Sequence, residues 1–169
     1  MRVLVTGASG FVGVNLVEAL LARGHEVVAM SLDAYPGAGR TVEIRGDTTD
    51  TALLERSMRE HQIEAVWHGA AITAWAEREK PEASPIVEVN LLATVRSLEA
   101  AARAGVRRFV YPSSSAVYGF TAFEGVGPVT EGAPLRPMNL YGITKVAAEA
   151  AVLRLAPALG LQACAGSVR

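Results

Sequence analysis

Residues 3–13 read Val-Leu-Val-Thr-Gly-Ala-Ser-Gly-Phe-Val-Gly, and the rest of the chain is organised around them. A short apolar run leads into glycines at the spacing G-x-x-G-x-x-G (Gly7, Gly10 and Gly13), and a helical pattern follows. Because glycine has no Cβ, the chain can turn sharply and a pyrophosphate can approach its backbone. The free N–H groups at a helix N-terminus stabilise such an anion. The stretch therefore predicts a strand, a phosphate-binding turn and a helix start, although the glycines alone would also suit a tight turn without a ligand.

Strand and helix patterns alternate along the whole chain. We predict strands at 2–6, 26–31, 41–45, 63–68, 107–112 and 160–167, helices at 11–23, 50–62, 86–103 and 139–158, and loops at 32–40, 73–85 and 113–137. Such alternation is typical of a parallel sheet with right-handed crossovers. The expected fold is α/β, a doubly wound parallel sheet (Rossmann fold) in the strand order 3-2-1-4-5-6 with helices on both faces. Residues 1–169 would form one dinucleotide-binding domain.

The composition argues against several classes of function. Half of the residues are apolar, the net charge is −1, and basic residues form no block, so nucleic-acid and anionic-membrane binding lack electrostatic support. No apolar run is long enough to cross a membrane. The single cysteine, Cys164, excludes a disulfide framework and falls in a strand that we expect to be buried. A cytoplasmic location fits this cysteine usage, and three scattered histidines make a metal site unexpected.

Tyr141 and Lys145 form a Tyr-x-x-x-Lys pair near the start of the last predicted helix. Their i, i+4 spacing places them on one helix face. A nearby ammonium favours the phenolate and lowers the pKa of a tyrosine, which could then move the proton that accompanies hydride transfer. Ser114, at the end of the fifth strand, could hydrogen-bond the same substrate oxygen. Taken alone, such a pair is more often found on the surface of an amphipathic helix; Ser114 and the glycine turn, each at its expected topological place, favour the functional interpretation.

Several short motifs stand at the predicted carboxyl ends of strands. They are Thr6-Gly7-Ala8-Ser9-Gly10-Phe11-Val12-Gly13, Gly46-Asp47 with Asp50, His68-Gly69-Ala70-Ala71, Val89-Asn90, Ser113-Ser114-Ser115-Ala116-Val117-Tyr118-Gly119 and Tyr141-Gly142-x-x-Lys145. Together they resemble the extended short-chain dehydrogenase/reductase family, which includes nucleotide-sugar epimerases, dehydratases and reductases. The resemblance spans nearly the whole chain.

The resemblance implies a role for each motif. The pyrophosphate would meet Gly7, Gly10, Phe11, Val12 and Gly13. The adenine would lie by Asp47 and Thr48 and the riboses beside Ala70 and Ala71. Asn90, counted among the cofactor-site residues, would support the active-site helix from within. Ser114 matches the family's catalytic Ser/Thr, Tyr141 the catalytic base, and Lys145 the residue that lowers the base's pKa and binds the nicotinamide ribose. Contacts to substrate are expected from Thr73, Trp75 and Ser115.

Three departures from the family pattern bear on function. Ser31 stands where NAD-preferring members usually carry an acid at the end of the second strand. Asp33, two residues later, could still reach the ribose. Only Arg40, in the following loop, could receive the 2′-phosphate of NADP. NAD is therefore favoured over NADP. Ser115-Ala116 replaces the Asp-Glu pair of the sugar dehydratases, which favours an epimerase or a dehydrogenase/reductase.

The third departure is length: by resemblance, family members are about twice as long, and we expect this chain to lack their C-terminal substrate domain. We expect a nicotinamide-dependent enzyme acting on a hydroxyl or keto carbon, and the resemblance implies that the substrate is a nucleotide sugar. The alternatives are a dinucleotide-binding module or fragment without turnover, and an NADP-linked reductase of a non-sugar carbonyl. By resemblance, the helices at 86–103 and 139–158 would pair across a homodimer.

Overall fold

The computed structural model describes residues 1–37, 39–73, 76–124 and 127–168. One parallel sheet runs through it, in the strand order β3-β2-β1-β4-β5-β6, which confirms the predicted order. The strands are β1 (Arg2–Thr6), β2 (Glu26–Ser31), β3 (Val42–Arg45), β4 (Ala65–His68), β5 (Arg108–Ser114) and β6 (Gln162–Val168). The order reverses between β1 and β4, so a crevice is expected at their carboxyl ends.

Six α-helices connect or follow the strands in the described residues. They are α1 (Phe11–Ala22), α2 (Thr51–Glu60), α3 (Ala76–Val87), α4 (Ala93–Arg103), α5 (Phe120–Glu124) and α6 (Leu140–Leu155). A π-helical turn, Glu88–Leu92, joins α3 to α4, and 3-10 turns occupy Ser115–Val117 and Pro157–Leu159. Local chemistry sets several boundaries. The Asp50 carboxylate accepts from Leu53 N at the start of α2, and Gly24 and Gly160 take left-handed φ values of 75° and 74° beyond helix ends.

The core lies on both faces of the sheet. Leu4 of β1 packs in a cluster with residues of α2, α4 and α6, including Met58, Leu98 and Val152. Val5, the next residue of β1, points to the other face and packs with Val17 of α1 and its neighbours. Because successive strand residues alternate between faces, a continuous apolar strand such as β1 supplies both clusters.

Two predicted loops contain helices. The segment 73–85, predicted as a loop on account of its prolines, includes most of α3. Glu82 leaves helical geometry (φ −117°, ψ 16°) and splits α3, so Pro85 falls in the first turn of the second piece, where its missing N–H costs no helical bond. The predicted loop 113–137 contains α5 and a 3-10 turn, and the helix predicted at 86–103 is interrupted by the π turn.

The expectation that Cys164 is buried was wrong. Cys164 is exposed, because β6 pairs only with β5 in the described part of the sheet, and Gln162, Cys164 and Gly166 are left open on its surface. No helix among the described residues is long and apolar enough to cross a membrane.

Candidate functional site

A cleft of about 740 Å³ opens at the carboxyl ends of the strands, where the strand order reverses. It is lined by the turn between β1 and α1, the ends of β2, β4 and β5, the segment after β3, and the start of α6. Most of the predicted site residues line it: Gly7, Gly10, Phe11, Val12, Gly13, Ser31, Asp33, Asp47, Thr48, Ala70, Ala71, Thr73, Ser114, Tyr141 and Lys145.

The glycine turn forms one wall of the cleft. Gly7 has a left-handed φ of 69°, and a Cβ on Gly13 would lie 2.2 Å from the Gly7 carbonyl oxygen, so both positions require glycine. Gly10 caps α1 without a side-chain hydrogen bond, and the first bond within α1 runs from Val14 N to Gly10 O. The N–H groups before Val14 therefore have no acceptor within α1. Phe11, which stands beside them, is 88% exposed. This geometry fits an anion.

The ends of β2 and β3 form the acidic part of the cleft. The Ser31 hydroxyl donates to the backbone carbonyl oxygen of Asp33 (3.0 Å) and not to its side chain. Asp33 is exposed and lines the cleft. Asp47 accepts from Thr49 N through its side chain (2.9 Å). Arg40, the one arginine predicted to be able to receive a 2′-phosphate, forms an ion pair with Glu18 and holds the pKa of that carboxyl below its usual value.

A buried hydroxyl joins the ends of β1 and β4. Thr6 Oγ1 lies 3.1 Å from His68 Nδ1 and accepts from Ala70 N (3.2 Å), so one side chain fixes both the strand before the glycine turn and the predicted ribose-binding segment. Burial, and secondarily the charge of Lys145, lowers the pKa of His68 to about 3. His68 is therefore a neutral packing residue beneath the cleft.

Ser114, Tyr141 and Lys145 meet at the end of β5. The side chain of Lys145 is 3% exposed; its Nζ donates to Pro112 O (2.9 Å) and lies 5.8 Å from the ring centroid of Tyr141. Burial lowers the pKa of Lys145 to about 8, partly opposed by the charge of Glu149. Ser114 Oγ accepts from Ala116 N (3.2 Å), so its own proton remains available to donate.

Three predicted site residues stand apart from the others. Asn90, assigned to the cofactor site, is buried behind the cleft. Its amide exchanges hydrogen bonds with both backbone groups of Ile72 and donates to Thr144 Oγ1 on α6, so both of its N–H donors are used within the protein. Ser115 opens a 3-10 turn and does not line the cleft. Trp75 lies outside the described residues.

Other residues of the site were missed by sequence reasoning. Trp67 lines the cleft together with Pro85 of α3 and Val89 of the π turn, and it also packs against the core cluster that contains Val5. Gly142 lets α6 approach the Ser114 segment: a Cβ there would lie 2.7 Å from Ala116 O. The glycine next to Tyr141 was visible in the sequence, but its close contact was not.

Several known proteins are similar to this chain. The model of the NAD dependent epimerase/dehydratase family matches residues 3–168. The UDP-glucose 4-epimerase of Lactobacillus helveticus is 35% identical over 155 residues, which cover 88% of this chain and 45% of that protein. Among solved structures, MoeE5 in complex with UDP-glucose and NAD is 38% identical with a TM-score of 0.84, covering 98% of this chain and 53% of that one.

The UDP-glucose 4-epimerase of Thermus thermophilus in complex with NAD is 33% identical, with a TM-score of 0.83, and the match covers 98% of this chain and 54% of that one. The chain thus spans about half the length of the curated relatives it matches. The family match extends over nearly every residue and both walls of the cleft. The chain therefore belongs to the NAD dependent epimerase/dehydratase family.

Proposed function

We propose that this chain is the cofactor-binding part of an NAD-dependent nucleotide-sugar epimerase, with Tyr141 as the acid/base. The observation that carries the proposal is the joint placement of a buried lysine, its neighbouring tyrosine and a serine on the wall of one cleft with an uncapped helix N-terminus. The similar proteins supply the substrate class, since their names include UDP-glucose 4-epimerase.

The cleft fits NAD at three places. The glycine turn and the open N-terminus of α1 suit a pyrophosphate. The Asp33 carboxylate would accept hydrogen bonds from ribose hydroxyls and would repel a 2′-phosphate, while Arg40 is engaged by Glu18. Asp47 and Thr48 would lie at the adenine. These contacts favour NAD over NADP.

The chemistry at the sugar follows from the residues at the end of β5 and the start of α6. NAD supplies acceptance and return of a hydride at the substrate's carbinol carbon. Tyr141 takes the proton from the hydroxyl on that carbon and later gives it back. The Lys145 ammonium favours the phenolate form of Tyr141 by its charge. Ser114 donates its hydrogen bond to the same substrate oxygen and so orients it.

The acid content of the cleft favours epimerisation over dehydration. Elimination of water from the sugar requires an acid beside the reacting carbons, but Ser115 and Ala116 follow Ser114. Among the described residues that line the cleft, the carboxylates are Asp33 and Asp47, which follow β2 and β3 on the far side from Tyr141.

A dinucleotide-binding module without turnover is the second candidate, because most of the residues that line the cleft are ones expected to hold the dinucleotide. A homodimer is part of the first proposal: Leu92, Ile143 and Leu153, in the segments 86–103 and 139–158, are exposed apolar side chains that a partner copy would cover.

The test compares the 169-residue chain with the protein expressed from its complete open reading frame. Both should bind NAD more tightly than NADP in calorimetric titrations. The complete protein should interconvert UDP-glucose and UDP-galactose without an added electron acceptor. Binding of NAD without conversion of any UDP-hexose by the complete protein would instead support the non-catalytic module, and tighter binding of NADP would contradict the cofactor assignment.

A further inference from the structure

The ammonium of Lys145 lies over a second aromatic ring that no motif assigned to the site. Its Nζ is 4.6 Å from the ring centroid of Tyr111, closer than the 5.8 Å to the ring of Tyr141. Tyr111 stands on β5, three residues before Ser114, and is 1% exposed. A cation at this distance from a ring face is attracted by the ring's quadrupole.

We propose that Tyr111 is a positioning residue whose ring face holds the Lys145 ammonium in place between β5 and Tyr141. The effect of Tyr111 on turnover rests on the proposed function, whereas the contact between Tyr111 and Lys145 does not. Two consecutive residues of β5 then fix the ammonium: the ring of Tyr111 by its face and Pro112 by its carbonyl oxygen, which accepts from Nζ at 2.9 Å. The strand that ends in Ser114 thereby sets where Lys145 stands.

The surroundings of Lys145 show why a ring is needed. Lys145 as a residue is 3% exposed, so its charge is poorly hydrated, and the described structure gives Nζ one hydrogen-bond acceptor, Pro112 O. The titratable groups that face it are Glu149 and Tyr141 on α6, His68 on β4 and Tyr111 on β5. His68 is neutral, so among these described groups the Glu149 carboxylate offsets the charge, and the ring of Tyr111 adds to that.

Tyr111 is suited to this contact because it stays uncharged. Burial raises the pKa of its phenol far above the neutral range, so the ring meets the ammonium as a neutral phenol. Phe109 is its natural comparison: it is on the same face of β5, two residues earlier, and fully buried, but its ring lies against His68 at 5.8 Å. Removing either ring costs the core a similar volume, but only the removal of the Tyr111 ring removes the contact with Lys145.

The test is a direct titration of Lys145 in the 169-residue chain. The sequence has two lysines, Lys80 and Lys145, so labelling lysine with carbon-13 at Cε gives two resonances, which Lys80→Arg assigns. We expect Tyr111→Phe to leave the pKa of Lys145 unchanged. Tyr111→Leu should lower it by about one pH unit, the equivalent of a desolvated cation–π contact, and Phe109→Leu should not.

A second series of variants tests the contact even if the leucine variants do not fold. Phenylalanines carrying one, two or three ring fluorines at position 111 keep the ring's shape and progressively weaken its quadrupole. The pKa of Lys145 should fall stepwise with each fluorine. A constant pKa across this series, or equal pKa values in Tyr111→Leu and Phe109→Leu, would overturn the inference.

A turnover measurement separates this inference from the proposed function. In the complete protein, the alkaline limb of the pH–kcat profile should move to lower pH in the fluorinated series by the same amount as the nuclear magnetic resonance titration. A pKa that moves in a protein without any epimerase activity would support the Tyr111 contact and contradict the proposed function. A pKa of Lys145 that does not move in an active epimerase would contradict the Tyr111 contact and support the proposed function.

Discussion

Replacing Lys145 with methionine should make the chain more stable at neutral pH. The buried ammonium has a pKa lowered from the usual 10.5 to about 8, which corresponds to a cost of about 3 kcal/mol for keeping it charged inside the fold. Methionine has a similar length and no charge, but it leaves Pro112 O without its donor, a loss of about 1 kcal/mol. The net gain is therefore about 2 kcal/mol, or a rise in Tm of roughly 4–8 °C for a domain of this size.

The pH dependence identifies the cause. Below pH 8 the lysine is charged in both states, so the full cost of burial is present. Between pH 8 and 10.5 the folded state releases its proton while the unfolded state keeps it, so the stability of the wild-type chain rises with pH and the advantage of methionine fades. Above 10.5 both states are neutral and the advantage is gone.

Urea unfolding followed by tryptophan fluorescence at pH 7, 8.5 and 10 measures these differences. Lys80→Met, which removes the exposed lysine, is the matched control and should change the free energy of unfolding by less than about 0.5 kcal/mol. The reasoning fails if Lys145→Met is less stable than the wild type at pH 7, or if the difference between them does not shrink as the pH rises.

Two further substitutions test the cofactor wall. Gly13→Ala should abolish NAD binding in calorimetry, because its Cβ would lie 2.2 Å from Gly7 O, whereas Gly132→Ala, with open space around it, should bind as the wild type does. Thr6→Val should cost about 2 kcal/mol in urea unfolding and weaken NAD binding, because Ala70 N loses its acceptor inside the protein; unchanged values for both would show that this hydroxyl has no positioning role.

The fold could be predicted because its determinants are local. The apolar run before Gly7 and the alternation of strands and helices specify a parallel sheet, and the handedness of crossovers restricts its order. Helix α3 could not be predicted from local signals, since Pro81 and Pro85 argue against a helix. It forms because a break at Glu82 accommodates Pro85, and because Glu79 accepts from Leu140 N (2.5 Å) and so ties α3 to α6.

The site could be predicted as a set of residues but not as an arrangement. The spacing of Tyr141 and Lys145 places them on one helix face, yet it does not reveal that Lys145 is buried, since that depends on how α6 packs against β5. The sequence likewise could not separate Asn90, hydrogen-bonded to the Ile72 backbone, from residues that line the cleft. The contact with Tyr111 has no signature in the sequence, because a tyrosine inside a strand resembles any core residue.

The buried face of β5 connects these features. Phe109 packs against His68, Tyr111 lies under the Lys145 ammonium, and the strand then ends at Ser114. One strand thus supports the cleft from beneath and supplies one of its polar groups. The glycine turn, on the neighbouring side of the strand-order reversal, faces the same cleft.

The role of Tyr141 is the central claim, and Tyr141→Phe in the protein from the complete open reading frame tests it most directly. The substitution removes one oxygen on a half-buried side chain, so NAD affinity should stay within about threefold of the wild type. Loss of the acid/base should lower kcat for UDP-hexose interconversion by about 10²–10⁴-fold. A variant that binds NAD normally and turns over at the wild-type rate would contradict the account.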